Sequence, residues 1–248
     1  MATISTATIL EALSNLNDIQ LITSPNQIPK VFNNQVPDLW GALLASKDNQ
    51  LSILKQLWQP ISPKIPQTMA ELQATLQGIA ILIEDGHPPS LLYIFLNKKG
   101  KLSFHRGYPP LKTEQLPQDI LPIWSNLPEE FRNLYIIHNG WFSLHSRSRG
   151  HLPVNKWSFL SSSEWLLEDE VVAQLPISPK QTLIVYDQGG GGYLGFVLPS
   201  KSNIGQVTPV EIWLTNLTEP DTGIDFWSVY DEMTVASFLE MAWREDEE

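Results

Sequence analysis

Residues 183–197 hold two short apolar runs separated by four consecutive glycines, Gly189, Gly190, Gly191 and Gly192, and few backbone forms suit that pattern. Gly190, Gly192 and Gly195 also satisfy GxGxxG, and Val197 extends the match to the GxGxxGxV of a kinase loop. A dinucleotide loop must open a helix whose N-terminus holds pyrophosphate, with an acidic residue about 20 positions further on. Residues 193–198 instead read as a strand, stopped by Pro199. The kinase form needs a downstream strand lysine, a catalytic aspartate and an Asp-Phe-Gly, and no such motifs follow Val197. Strand, glycines, strand therefore reads as a hairpin whose turn takes the positive φ angles that glycine adopts cheaply. A nucleotide-dependent enzyme using the 190–195 loop is the alternative from another class.

A chain of 248 residues with 42% hydrophobic content can build a full core, as one large α+β domain or two small ones. Nine tryptophans make part of that core aromatic. The absence of cysteine removes disulfides, thiolate metal sites and a cysteine nucleophile. The first residues carry no basic segment followed by an apolar one, and no run approaches the roughly 18 apolar residues of a spanning helix. The expectation is a cytoplasmic protein without a membrane partner.

The net charge of −11 is unevenly spread. Residues 1–120 hold nine Lys/Arg and nine Asp/Glu, whereas residues 121–248 hold seven against eighteen. The second half repels nucleic acid and favours encounter with a basic partner. Solubility alone is the competing explanation of the same charge.

Apolar spacing predicts a first helix over 7–16 behind Ser5 or Thr6 as N-cap, then a long or broken helix from Pro37 to Pro60. Prolines 60, 63 and 66 mark an extended connector before a helix over 69–76. Strands are expected at 79–84, 91–96 and 102–105, with a turn at 98–100. The proline-rich piece 108–122 is either a domain boundary or a loop inside one domain. Pro128, Glu129 and Glu130 open a helix that Asn139 and Gly140 close. A helix around 163–167, the glycine hairpin, a strand at 210–214 and a last helix over 226–243 complete the reading.

Chemical constellations are sparse. His138, His145 and His151 have no accompanying carboxylate spacing, so they read as one helix-end and two loop histidines rather than a zinc site. The negative end of its helix would favour protonated His138. The pairs Glu129-Glu130 and Asp231-Glu232, and the triplet at 168–170, are sequence neighbours that do not face one another on a helix, so solvated faces are expected. No Gly-x-Ser-x-Gly elbow activates a serine. Lys98, Lys99, Lys101 and Arg106, interleaved with Phe104 and Tyr108, read as charge protecting an edge strand rather than as a nucleic-acid patch.

Leu127-Pro-Glu-Glu-Phe131, Tyr135, His138-Asn-Gly-Trp141, the glycine run, Pro209-Val-Glu-Ile-Trp213 and a terminal helix with Phe226-Trp227 and Phe238-Leu239 together resemble the SUKH superfamily, over residues 120–243. The resemblance implies an α+β fold with a mainly antiparallel sheet flanked by helices; residues 1–110 lie outside it and read as an N-terminal α/β extension of unknown role, and residues 244–248 as an acidic tail. It also implies a non-enzymatic role, without cofactor, metal or catalytic residues. Many bacterial members are immunity proteins that neutralise a toxin, often a nuclease or deaminase, while a housekeeping scaffold or regulator is the alternative within the family. Trp213 and Trp227 lie in apolar segments and are expected in the core, whereas Trp141 and Tyr193 follow turns and are candidates for exposure. With Gly190, Gly192, Asp187, Glu211, Asp231 and Glu232 they make up the expected partner-binding set, an aromatic anchor with an acidic rim. An aromatic core under glycine turns is the competing reading.

Overall fold

The computed structural model describes residues 4–96, 100–199 and 207–239. Within them the protein is α+β, with one antiparallel sheet of ten strands. These are β1 (Ile19–Ile22), β2 (Leu76–Glu84), β3 (Ser90–Leu96), β4 (Leu102–Gly107), β5 (Trp141–Ser143), β6 (Gly150–His151), β7 (Ser158–Phe159), β8 (Thr182–Gly189), β9 (Gly192–Val197) and β10 (Thr208–Trp213). Their spatial order follows the chain, β1-β2-β3-β4-β5-β6-β8-β9-β10, with β7 also paired to β8. Helices fill the long connections from β1 to β2 and from β4 to β5.

The runs in β2 and β3 are apolar without alternation because both faces of the sheet are covered, a pattern more usual in parallel sheets. One face, called the first, presents Ile79, Ile81, Tyr93 and Phe95, then Trp141, Val185 and Phe196. Over it lie α2 (Asp38–Ala45), α3 (Gln50–Trp58), α4 (Pro66–Thr75), α5 (Leu121–Trp124), α6 (Glu129–Ile137) and α8 (Phe226–Leu239). On the second face, α1 (Thr6–Ala12) brings Ile9 onto Leu82, Leu92 and Phe104. Further along that face Leu160, Trp165 and Leu175 cover Ile184, Val210 and Ile212, in a segment that includes α7 (Asp169–Gln174).

Local chemistry sets several boundaries. Ser5 caps α1, its Oγ accepting from Thr8 N–H at 3.1 Å. The predicted long helix from Pro37 is the broken pair α2 and α3. Pro66 begins α4 three residues earlier than expected, because a proline read as connector occupies the first helical turn, where its missing N–H costs nothing. The 163–167 helix is a 3-10 turn at Ser163–Trp165, with α7 following it. The turn at Lys98 and Lys99 lies outside the described residues, as do the end of the last helix and the acidic tail.

The proline-rich piece is a packed loop. Leu116 and Ile120 are buried in the first-face core, Leu111 N–H donates to Tyr135 O at 2.8 Å, and Asn139 N–H donates to Pro109 O at 3.2 Å. Across it the sheet continues without a break, Arg106 pairing with Phe142 and Gly107 with Trp141. The expected N-terminal extension therefore contributes β1 to β4 to the same sheet as the second half.

A second tie between the halves corrects an expectation. Asp231, in the partner-binding set, is 2% exposed. Its carboxylate accepts from Gln67 N–H at 2.9 Å and from Thr68 N–H at 2.7 Å. Helix α4 has no side-chain cap of its own at Ile65, so α8 satisfies its free amides across the fold. Glu232, one position on, is exposed. Replacing Asp231 by Ala is expected to lower the unfolding free energy by about 2–3 kcal/mol through loss of charged backbone hydrogen bonds, whereas Glu232→Ala should stay within about 0.5 kcal/mol. Urea unfolding of the two variants checks this; equal effects would contradict the capping role.

Candidate functional site

The four glycines form a tight hairpin. Gly189 pairs with Gly192, and the turn residues Gly190 and Gly191 have φ of +63° and +87°. Both central residues are left-handed, as in the two-residue turns that match strand twist. Gly189 is also left-handed, at +76°, and its N–H donates to Asp187 Oδ1 at 2.7 Å. Gly192 is fixed by contact instead: a Cβ there would lie 2.7 Å from the Trp213 indole. Each glycine in the run thus has its own reason. Strand β9 begins at Gly192 itself, so the glycines meet a strand where a dinucleotide loop requires a helix.

Trp213 therefore seats on the hairpin rather than in the core, and is 39% exposed; Leu214, whose N–H donates to Gly191 O at 2.9 Å, is 47% exposed. The alternation of β10 explains the outcome. Val210 and Ile212 are buried on the second face, which turns Glu211 and Trp213 to the other side of an edge strand. Glu211 Oε1 accepts from Gln188 Nε2 at 2.9 Å, and its backbone exchanges two hydrogen bonds with Asp221. Asp187 faces Tyr193 across the hairpin, and burial raises the Asp187 pKa against the lowering by Gly189 N–H and Arg149.

Five of the expected partner-binding residues, Asp187, Gly190, Gly192, Tyr193 and Glu211, thus come together at one end of the sheet. Trp141, Asp231 and Glu232 do not join them. Trp141 is 1% exposed in the middle of the first face, against Trp58 at 4.6 Å, so its candidate exposure is overturned. Trp213 and Trp141 exchange the places expected for them, because edge position is a property of the assembled sheet.

Three histidines line the buried first face. A carbonyl only accepts, so His138 Nδ1 donates to Tyr108 O at 3.0 Å and Nε2 accepts from the Tyr93 hydroxyl at 2.7 Å, which itself accepts from Trp58 Nε1 at 3.1 Å. His151 Nε2 donates to His138 O at 3.1 Å, leaving Nδ1 to accept from Tyr230 at 2.9 Å. Ser237 donates to Thr234 O at 2.6 Å and accepts from His105 Nε2 at 3.0 Å. This is a neutral network in which each ring has one fixed tautomer. Burial lowers His105 and His138 to about 3 and His151 to about 4. For His138 burial outweighs the helix end expected to favour its charged form, and His151 lies in β6 rather than in a loop.

The basic-hairpin reading changes too. Strand β4 pairs with β5 over His105, Arg106 and Gly107, so Arg106 lies inside the sheet and not on an edge. Arg106 is 4% exposed; its Nε donates to Ser90 Oγ at 3.0 Å and its Nη2 meets Glu84 Oε2 at 2.6 Å, outside hydrogen-bond alignment. This pair borders a cleft of about 560 Å³ on the second face, between α1 and the segment that carries Trp165. The cleft residues are scattered from Leu16 to Leu214, and no local sequence signal joins them. Among the described residues no helix is long and apolar enough to cross a membrane. Compared with family models, curated proteins and solved structures, the chain has no match.

The histidines set a pH dependence. Their folded pKa values lie below the ordinary 6.5, so below pH 6.5 the unfolded chain takes up protons that the folded chain refuses. Their stabilisation is complete above pH 6.5 and is lost as pH falls towards 3–4, each group contributing up to about 1.4 kcal/mol per pH unit in that window. Denaturant titrations from pH 7 to 4.5 should show the protons bound on unfolding from these groups rising from less than about one to nearly three by about pH 5, and one fewer in His151→Gln. A flat stability from pH 6.5 to 5 would contradict the neutral network.

Proposed function

We propose that the protein is a non-catalytic protein-binding module of the immunity or antitoxin type, acting in the cytoplasm, and that its ligand is a basic protein, such as a nuclease or deaminase toxin. The contact surface in this reading is the hairpin tip with the β10 edge. One observation carries the proposal: an exposed indole, Trp213, is seated on the glycine turn beside exposed Leu214, in a segment, residues 207–225, with four carboxylates and no Lys or Arg. A large aromatic anchor on a segment whose charges are all negative suits a partner of opposite charge. The resemblance of residues 120–243 to the SUKH superfamily supplies the toxin-neutralising class, and the acidic second half supports the charge of the ligand. The buried, hydrogen-bonded state of His105, His138 and His151 gives those residues a structural role compatible with this reading.

Affinity capture from the native host, followed by titration of the purified captured protein, tests the proposal. The expected ligand is basic, binds more weakly as salt rises, and loses at least about tenfold in affinity towards Trp213→Ala, the scale of a central aromatic anchor. A neutral or acidic ligand whose affinity ignores both salt and Trp213→Ala would overturn it.

A further inference from the structure

The second-face cleft has a chemistry that the protein-binding reading does not use. Its volume of about 560 Å³ falls within the roughly 300–1,000 Å³ of small-molecule sites. Leu16, Phe142, Leu144 and Ile184 make the lining largely hydrocarbon. Aromatic pairs border it: Trp165 meets Tyr193 edge to face at 4.8 Å, and Tyr108 meets Phe142 at 5.8 Å.

The charges at this cleft run against the rest of the molecule. Arg106 and Glu84 neutralise one another in its wall, with the Arg106 guanidinium also 5.5 Å from the Tyr108 ring. Beyond them the exposed cations Arg147 and Lys156 meet one further carboxylate, Glu164, whose Oε1 accepts from Ser162 at 3.0 Å. In a chain of net charge −11 this is a local excess of positive charge. Arg147 is held at φ +55°, in a turn where its N–H donates to Ser143 O at 3.0 Å. A left-handed arginine costs about 1–3 kcal/mol, a conformation shared by Asp18, Arg149 and Leu166 outside the cleft.

We propose that this cleft binds a small organic anion with an apolar body, a carboxylate on a flat hydrocarbon frame. The apolar and aromatic lining takes the frame, and Arg147 with Lys156 takes the carboxylate. An inorganic anion would leave the hydrocarbon lining in water, and an aromatic cation would meet the same two charges with the wrong sign. The inference goes beyond the protein-binding reading and does not rest on it, although Tyr193 and Leu214 border both surfaces.

Calorimetric titration of the full chain with 2-naphthoate, with its neutral analogue 2-naphthalenemethanol and with the cationic 2-naphthylmethylammonium, tests this. Naphthoate should bind saturably, the neutral analogue about fivefold or more weakly, and the cation more weakly still. In the double variant Arg147→Gln, Lys156→Gln, naphthoate affinity should fall about tenfold, towards that of the neutral analogue, while the neutral analogue's affinity holds. Both substitutions fall on exposed side chains, and an unchanged Tm confirms that the variant folds. No saturable naphthoate binding, equal binding of the three probes, or naphthoate binding unaltered in the double variant would each overturn the proposal.

Discussion

Trp141 is the contact on which the arrangement depends. Its indole lies 4.6 Å from Trp58 of α3, 5.6 Å from Tyr93 of β3, 5.0 Å from His105 of β4 and 5.9 Å from Phe238 of α8. Its partner across the sheet is Gly107, where a Cβ would stand 2.5 Å from the His138 ring. Glycine at 107 therefore lets the ring that ends α6 approach the sheet. Strands from both halves meet at this point, and the helices packed over them also come from both halves.

The density of rings at this junction decides the electrostatics of the interior. Water cannot solvate a charged imidazole there, so His138 and His151 serve as neutral groups that donate at one nitrogen and accept at the other. Tyrosine hydroxyls and backbone carbonyls supply partners along the path from Trp58 through Tyr93 and His138 to Tyr108 O, whereas His105 Nδ1 and Trp141 Nε1 are buried without one. With the first face sealed in this way, the surfaces open to ligands lie elsewhere. Two of them are the sheet edge carrying Trp213 and the uncovered part of the second face between Leu16 and Trp165.

Features fixed by local backbone chemistry were legible in the sequence. The four glycines announced a hairpin because consecutive positive φ angles have few other uses. Ser5 or Thr6 marked the start of the first helix, which ends at Ala12, earlier than its apolar spacing suggests, and Pro128 with Glu129 and Glu130 marked α6. Features fixed by assembly were not. Asp231 and Glu232 are adjacent acids on one helix, and only the amides of Gln67 and Thr68, more than 160 positions away, separate a buried cap from a solvated side chain. Strands β5, β6 and β7, of two or three residues each, are too short to show a period. The charge of Arg106 suggested an exposed hairpin, whereas Glu84 and Ser90 hold it beside the cleft. The alternation of residues 209–213 did contain the outward direction of Trp213, but the apolar character of that segment suggested core.

A sheet shared by both halves, sealed on one face around Trp141, should melt as one cooperative unit. Differential scanning calorimetry of the full chain is the most direct measurement, with tryptophan fluorescence and far-ultraviolet dichroism followed over the same range. The account predicts a single transition, with equal calorimetric and van't Hoff enthalpies and one midpoint for both optical probes. Two resolved transitions, one of them belonging to residues 1–110, would contradict it.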